Sequence, residues 1–192
     1  MYSTLITHHH PTEIVVHGSS GHVYMACGSI DTRRKWMPYF ETFNEPSPSD
    51  YVTYYDPTTE KLQPVRHDLK DVRGLNVHGM DVVQSSKDPK TLYIYMVNHR
   101  PQLRRNEHVA GADSTIELFK TEVGSKSMRH IKSFHHPDII LTPNDIAGSP
   151  DGKSFFFTND FPTRSNSVCV LHAFGWLLTC SLSVAACFTI LV

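Results

Sequence analysis

A block of about 65 residues occurs twice in this chain and begins a third time. The parallel openings are Thr12-Glu13-Ile14-Val15-Val16, Val77-His78-Gly79-Met80-Asp81 and Pro143-Asn144-Asp145-Ile146-Ala147. Each opening leads through a turn into an aromatic-rich run: Gly21–Ala26, Lys90–Met96 and Gly152–Phe157. Glu13, His78 and Asn144 therefore lie 65 and 66 residues apart. Short strands at a fixed period are the signature of a radial β-architecture. The same period sets a side chain able to hold a metal or a proton at one point of every unit.

The apolar runs are four to seven residues long. They are β-branched or aromatic and bounded by Pro, Gly and Asp, so they read as strands and not helices. In the first unit the pattern predicts strands at Glu13–His17, His22–Cys27, Tyr51–Tyr55 and Leu62–Arg66, with a turn at Pro57–Glu60. The second unit predicts Gly79–Gln84, Leu92–Asn98, Thr115–Thr121 and Met128–Phe134. The third predicts Asp145–Ser149 and Lys153–Thr158, and then breaks off. Four short antiparallel strands make a propeller blade, whose first strand lines the central axis. The expected fold is all-β: a partial β-propeller of about two and a half blades over residues 12–163. A disordered segment precedes it at 1–11 and a hydrophobic tail follows at 164–192.

Asp31–Ser49 interrupts the first unit with Pro38, Pro46, Pro48 and several aromatic residues. It reads as a long loop, of the kind that carries function or packs over a site. Open blade edges expose unpaired backbone and apolar faces. Such a chain is expected to be a piece of a longer product or to pair with something.

A net charge of −1 implies neither a nucleic acid nor an acidic membrane as partner. His8-His9-His10 is either a metal-binding tract or an exposed end. Cys27 sits in an apolar strand as a buried thiol, and the other three cysteines fall in the tail without CxxC spacing. Residues 1–7 have neither the basic nor the apolar region of a signal peptide. From Ser165 to Val192 there is no Lys, Arg, Asp or Glu, and the apolar run is long enough to cross a hydrocarbon core of ~30 Å. A C-terminal membrane anchor, an ordinary buried segment and a translated non-coding or frame-shifted end stay open as readings. The abrupt stop of the period at Asn166 favours the last.

Two constellations carry chemistry. His78 precedes an axial strand, and His99 ends the neighbouring one. Antiparallel pairing can bring both to one rim, where imidazoles work as base and relay; the alternative is two satisfied histidines at strand ends. Asn144-Asp145 places an amide oxygen beside a carboxylate at the axis. Oxygen-only donors suit calcium rather than zinc; the alternative is an Asn-Asp turn. Asn159-Asp160 repeats the doublet and reads as a turn or supporting pair. Arg100, Arg104 and Arg105 read as a solvated loop, and Phe155-Phe156-Phe157 as core.

In the order His78-Gly79-Met80, Val97-Asn98-His99, Ser114–Lys120 and Pro143–Ile146, closed by Phe157–Asp160, the chain resembles the serum paraoxonase/arylesterase family in a fungal-type form. The resemblance covers roughly residues 12–163. It implies a six-bladed propeller with two calcium ions in its tunnel and hydrolysis of small-molecule aryl esters and lactones. It implies that His78 and His99 stand where the family has its histidine dyad. It gives Asn144 to the catalytic calcium, and Asp145 and the Met80 carbonyl to the structural one. Where the family opens with a Glu-Asp pair, this chain reads Thr12-Glu13; Glu13 takes the structural-ion place, and a one-residue shift would give it the catalytic one. With ligands of later blades lacking, weak calcium binding and weak or no activity are expected. A non-catalytic propeller remnant serving as an interaction module, and a gluconolactonase-like or strictosidine-synthase-like propeller, are the alternatives.

Overall fold

The computed structural model describes residues 10–46, 50–164 and the backbone of 184–189. Its first blade contains β1 (His10–Val16) and β2 (Val23–Gly28). The insertion follows as a helix α1 (Ile30–Lys35), a two-residue strand β3 (Trp36–Met37), a 3-10 turn at Pro38–Phe40 and a two-residue strand β4 (Thr42–Phe43). The blade closes with β5 (Tyr51–Asp56) and β6 (Lys61–His67). The second blade is β7 (Val77–Gln84), β8 (Thr91–Arg100), a short helix α2 (Glu107–Ala110), β9 (Asp113–Glu122) and β10 (Ser127–Phe134). The third holds β11 (Pro143–Gly148), β12 (Ser154–Asn159) and β13 (Val184–Thr189).

All ten strands expected from the sequence form, in antiparallel meanders. β1-β2-β5-β6 and β10-β9-β8-β7 are joined into one eight-stranded sheet by a short parallel contact, Arg66 with Ser127 and His67 with Met128. The fold is a partial, propeller-like all-β structure. Its first strands lie together: β7 packs against both β1 and β11. One apolar cluster, including Tyr24, Val52, Met80, Ile94 and Phe119, fills the space between the first two blades. A second, including Tyr95, Leu118, Ile146, Phe155 and Phe157, fills the space between the second and third. Strand alternation puts successive side chains on opposite faces, so β12 buries Phe155 and Phe157 but leaves Phe156 57% exposed. The aromatic triplet is thus core at two positions and surface at the third.

Four other expectations change. β1 starts at His10, within the segment expected to be disordered, because His10 and Pro11 pair with Gly28 and Cys27. The insertion is not a bare loop: Trp36 and Phe43 stack edge to face at 5.4 Å and make a small core with Ala112. β13 extends the third blade by pairing Val184–Thr189 with β12; the remainder of the apolar tail, and residues 1–9, lie outside the described residues. Among the described residues no helix is long and apolar enough to cross a membrane.

The fourth concerns Arg100. Arg104 and Arg105 are solvated, but Arg100 is buried in a network with Arg73, Asp71 and Asp113 at 2.6–2.9 Å. Hydrogen bonding from Arg73 holds the Asp71 carboxyl down at about 2. Inside the second blade the fully buried Glu117 accepts from Thr115, His130 and Ser133, tying β9 to β10.

Candidate functional site

Each axial strand carries a β-bulge at its entry. Pro11 and Glu13 pair with the adjacent residues Cys27 and Ala26, so Thr12 is extra. Val77 and Met80 pair with Asn98 and Met96, which puts an extra residue at His78-Gly79. Pro143 and Ile146 pair with Asn159 and Phe157, which puts one at Asn144-Asp145. A bulge bends its strand and re-aims a side chain, and bulges gather next to active sites. Counted from the residue before each bulge, the period is 66 in both steps: Pro11, Val77, Pro143. Thr12, not Glu13, is therefore the positional equal of His78 and Asn144.

The bulges of β7 and β11 meet. A Cβ on Gly79 would overlap the Asn144 carbonyl oxygen and lie 2.9 Å from Asp145 Cα. Only glycine lets the two backbones approach this closely. That contact seats His78 beside the third blade, near Asp145 and Asp160. Asp160 in turn accepts from Asn144 Nδ2 at 2.6 Å.

Pairing of β7 with β8 brings the His78 and His99 rings together, with centroids 5.5 Å apart and planes tilted by 51°. His99 is buried, with Nδ1 on Ser114 Oγ at 2.9 Å and its carbonyl accepting from Trp36 Nε1 at 2.8 Å. Burial first, and His78 and Arg33 next, push His99 well below the ordinary imidazole value. Burial also lowers His78; Asp160 opposes the shift and Arg33 reinforces it. Both rings are neutral at pH 7, and any charge that forms is better borne by His78, the ring with carboxylates near it.

The insertion completes the site. Arg33 donates to the Val77 carbonyl at 3.1 Å and to Thr12 Oγ1 at 3.0 Å, tying the β1 bulge to the β7 bulge. Asp50 accepts from Val77 N at 3.0 Å and stands 3.6 Å from Arg33. Burial raises the Asp50 carboxyl to about 6 despite Arg33. Arg33, Trp36, Asp50, Asn76, His78 and His99 line a cavity of about 20 Å³, room for one water. Arg33 Nε, Asp50 Oδ1 and Asn76 Nδ2 are buried there without a hydrogen-bond partner among the described residues. Sequence reading missed Arg33, Asp50, Trp36 and Ser114. The insertion was marked as a loop over a site, but nothing in Arg33-Arg34-Lys35 distinguishes the buried arginine from its neighbours.

The expected calcium ligands are only partly gathered. Asn144 and Asp145 share the β11 bulge against β7, and Met80 closes the β7 bulge. Glu13 lies on β1, and its carboxylate accepts from its neighbour Ile14 N at 3.2 Å. The Asp145 carboxylate likewise turns back to Ile146 N at 2.8 Å. Among the described residues no group of three or more His, Cys, Asp or Glu stands close enough to hold a metal. The donors are hard oxygens, right in kind for calcium, but they fall short of the six to eight it takes. Arg33 also puts positive charge at Thr12, where the resemblance calls for a carboxylate. By themselves these residues do not make a calcium cage.

A family model described as Arylesterase matches residues 19–174. The chain is 36% identical over 91 residues to serum paraoxonase/arylesterase 2 of Gallus gallus, covering 47% of this chain and 22% of that protein. It is 30% identical over 127 residues to serum paraoxonase/arylesterase 1 of Homo sapiens, covering 64% and 32%. To serum paraoxonase/lactonase 3 of Mus musculus it is 37% identical over 76 residues, covering 40% and 18%. The chain spans less than a third of the length of these curated relatives.

Proposed function

The chain belongs to the arylesterase family, and on that footing we propose that it carries the histidine half of a calcium-dependent hydrolase site for aryl esters and lactones. The observation that carries the reading is the His78–His99 pair at the cavity, 5.5 Å apart and beside the Asn144-Asp145 bulge. A neutral imidazole accepts a proton from a water that attacks an ester carbonyl. His78 is the better base, because it borders Asp160 and Asp145, which favour its charged form. His99 positions it: buried, it is a poor home for a charge, and its Nδ1 bond to Ser114 Oγ holds the ring in place.

Calcium belongs to the proposal and not to the described geometry. Asn144, Asp145, the Met80 carbonyl and Glu13 are the donors this chain would contribute, and other blades would have to supply the rest. The 192-residue chain alone is therefore expected to hydrolyse weakly. The context of His78 and His99 favours this reading over a non-catalytic remnant. The test is phenyl acetate and γ-lactone hydrolysis with and without calcium, by the parent chain and by His78→Gln. Residual calcium-dependent turnover that disappears in His78→Gln is the expected result. Turnover unchanged by that substitution would overturn the assignment.

A further inference from the structure

Three buried polar atoms gather under the insertion: Arg33 Nε, Asp50 Oδ1 and Asn76 Nδ2, none with a hydrogen-bond partner among the described residues. Their residues line one cavity together with His99. Asp50, Asn76 and His99 are each only 5% exposed. The bare face of Gly28 is what lets two of the atoms converge. A Cβ there would overlap Asp50 Oδ1 and stand 2.9 Å from Arg33 Nε. Buried polar groups are bonded in native proteins, to protein or to ordered water.

The walls define what fits between these atoms. The Arg33 guanidinium excludes a cation, and the Asp50 carboxylate excludes an anion. A volume of about 20 Å³ admits one water and nothing larger. A water has two lone pairs and two hydrogens. Arg33 Nε and Asn76 Nδ2 can only donate, so together they fill both lone pairs. Asp50 Oδ1 accepts one hydrogen, while Oδ2 is held by Val77 N at 3.0 Å. The other hydrogen needs a second acceptor.

His99 is placed to be that acceptor. Its backbone N–H bonds the Asn76 carbonyl at 3.0 Å, which sets the two residues side by side. Burial keeps the ring neutral. Nδ1 is taken by Ser114 Oγ at 2.9 Å, which leaves Nε2. A serine hydroxyl either donates or accepts, so Ser114 does not choose between the two tautomers. A water with both lone pairs filled does choose. It can only donate to Nε2, and the ring proton must then sit on Nδ1.

We propose that this cavity binds one structural water, held by Arg33, Asn76 and Asp50, which donates to His99 Nε2 and fixes the tautomer of that ring. Arg33, Asp50 and Asn76 are thereby positioning residues for the histidine pair, acting through His99. The water site stands on geometry alone; its service to hydrolysis rests on the function proposed above.

Nuclear magnetic resonance of the 192-residue chain, labelled with nitrogen-15, tests it at about pH 7.5. Asp50 is ionised there, above the value of about 6 to which burial raises it. The parent should show a rotating-frame Overhauser peak between Arg33 Nε–H and water, with His99 protonated at Nδ1 and not at Nε2. In Asp50→Asn the amide nitrogen faces the water, because Val77 N keeps the oxygen. Three donors then meet two lone pairs. The Overhauser peak should be lost and the His99 Nε2 resonance should move downfield, with the backbone amide spectrum otherwise that of the parent. Gly28→Ala displaces Asp50 Oδ1 and Arg33 Nε without removing a polar group, and should do the same. A parent without the Overhauser peak, His99 protonated at Nε2, or a peak and resonance that persist in either variant would each overturn the proposal. No substrate enters these measurements, so their outcome is separate from that of the hydrolysis assays.

Discussion

Replacing Gly79 by alanine is the sharpest perturbation of the hub. The new Cβ would overlap the Asn144 carbonyl oxygen and stand 2.9 Å from Asp145 Cα and 3.2 Å from the Asn144 carbonyl carbon. Carbon atoms prefer separations of about 3.5–4.0 Å. All the obstructing atoms are backbone, so no side-chain rotation relieves them, and β7 and β11 must part by about 1 Å. Overpacking costs about 1–3 kcal/mol, and a backbone clash between strands packed from two different sheets belongs at the top of that range. For a chain of this size, about 3 kcal/mol lowers Tm by about 6–12 °C. The same 1 Å separates His78 from the third blade, a misplacement that can cost about 100-fold in rate. Gly18→Ala is the control, since nothing lies within 4 Å of its Cβ position. Calorimetry and phenyl acetate hydrolysis on both variants give the answer. Gly79→Ala with the Tm and residual turnover of Gly18→Ala would refute the close approach.

The buried Asp50 gives a pH signature. Its carboxyl is raised from 3.8 to about 6, so the folded chain holds that proton more tightly than the unfolded one. Stability from this group is therefore lost as pH rises through that window, by about 3 kcal/mol at 1.36 kcal/mol per unit. Urea denaturation should show Asp50→Asn gaining about that much on the parent between about pH 4 and 7; a difference independent of pH would contradict it. Calcium titration by calorimetry should find binding weaker than micromolar, because the described donors are few and Arg33 stands at the β1 corner; micromolar affinity would refute that account.

The blades were legible because their period is written in apolar alternation and turn residues, which depend on local chemistry alone. The His78 and His99 placement was legible for the same reason: strand pairing fixes which ends meet. The bulges were not, since an extra residue in a strand leaves no compositional trace. Without them the repeat was aligned on Glu13, one residue from Thr12. Arg33 and Asp50 escaped because their burial depends on how the insertion folds back over β7. Arg100 escaped because its charge is met by Asp71 and Asp113, from a loop and the start of the next strand. Phe156 was misread because a run of three aromatics looks like core until alternation is imposed on it.

The central claim is that His78 shares a hub with residues of the third blade some eighty positions away. Nuclear magnetic resonance titration of the His78 ring, in the parent and in Asp160→Asn, tests it directly. Burial should hold the parent ring below 6.5, and removing the Asp160 charge that opposes the shift should move it lower still. A His78 ring that titrates at the same pH in both proteins would contradict the convergence.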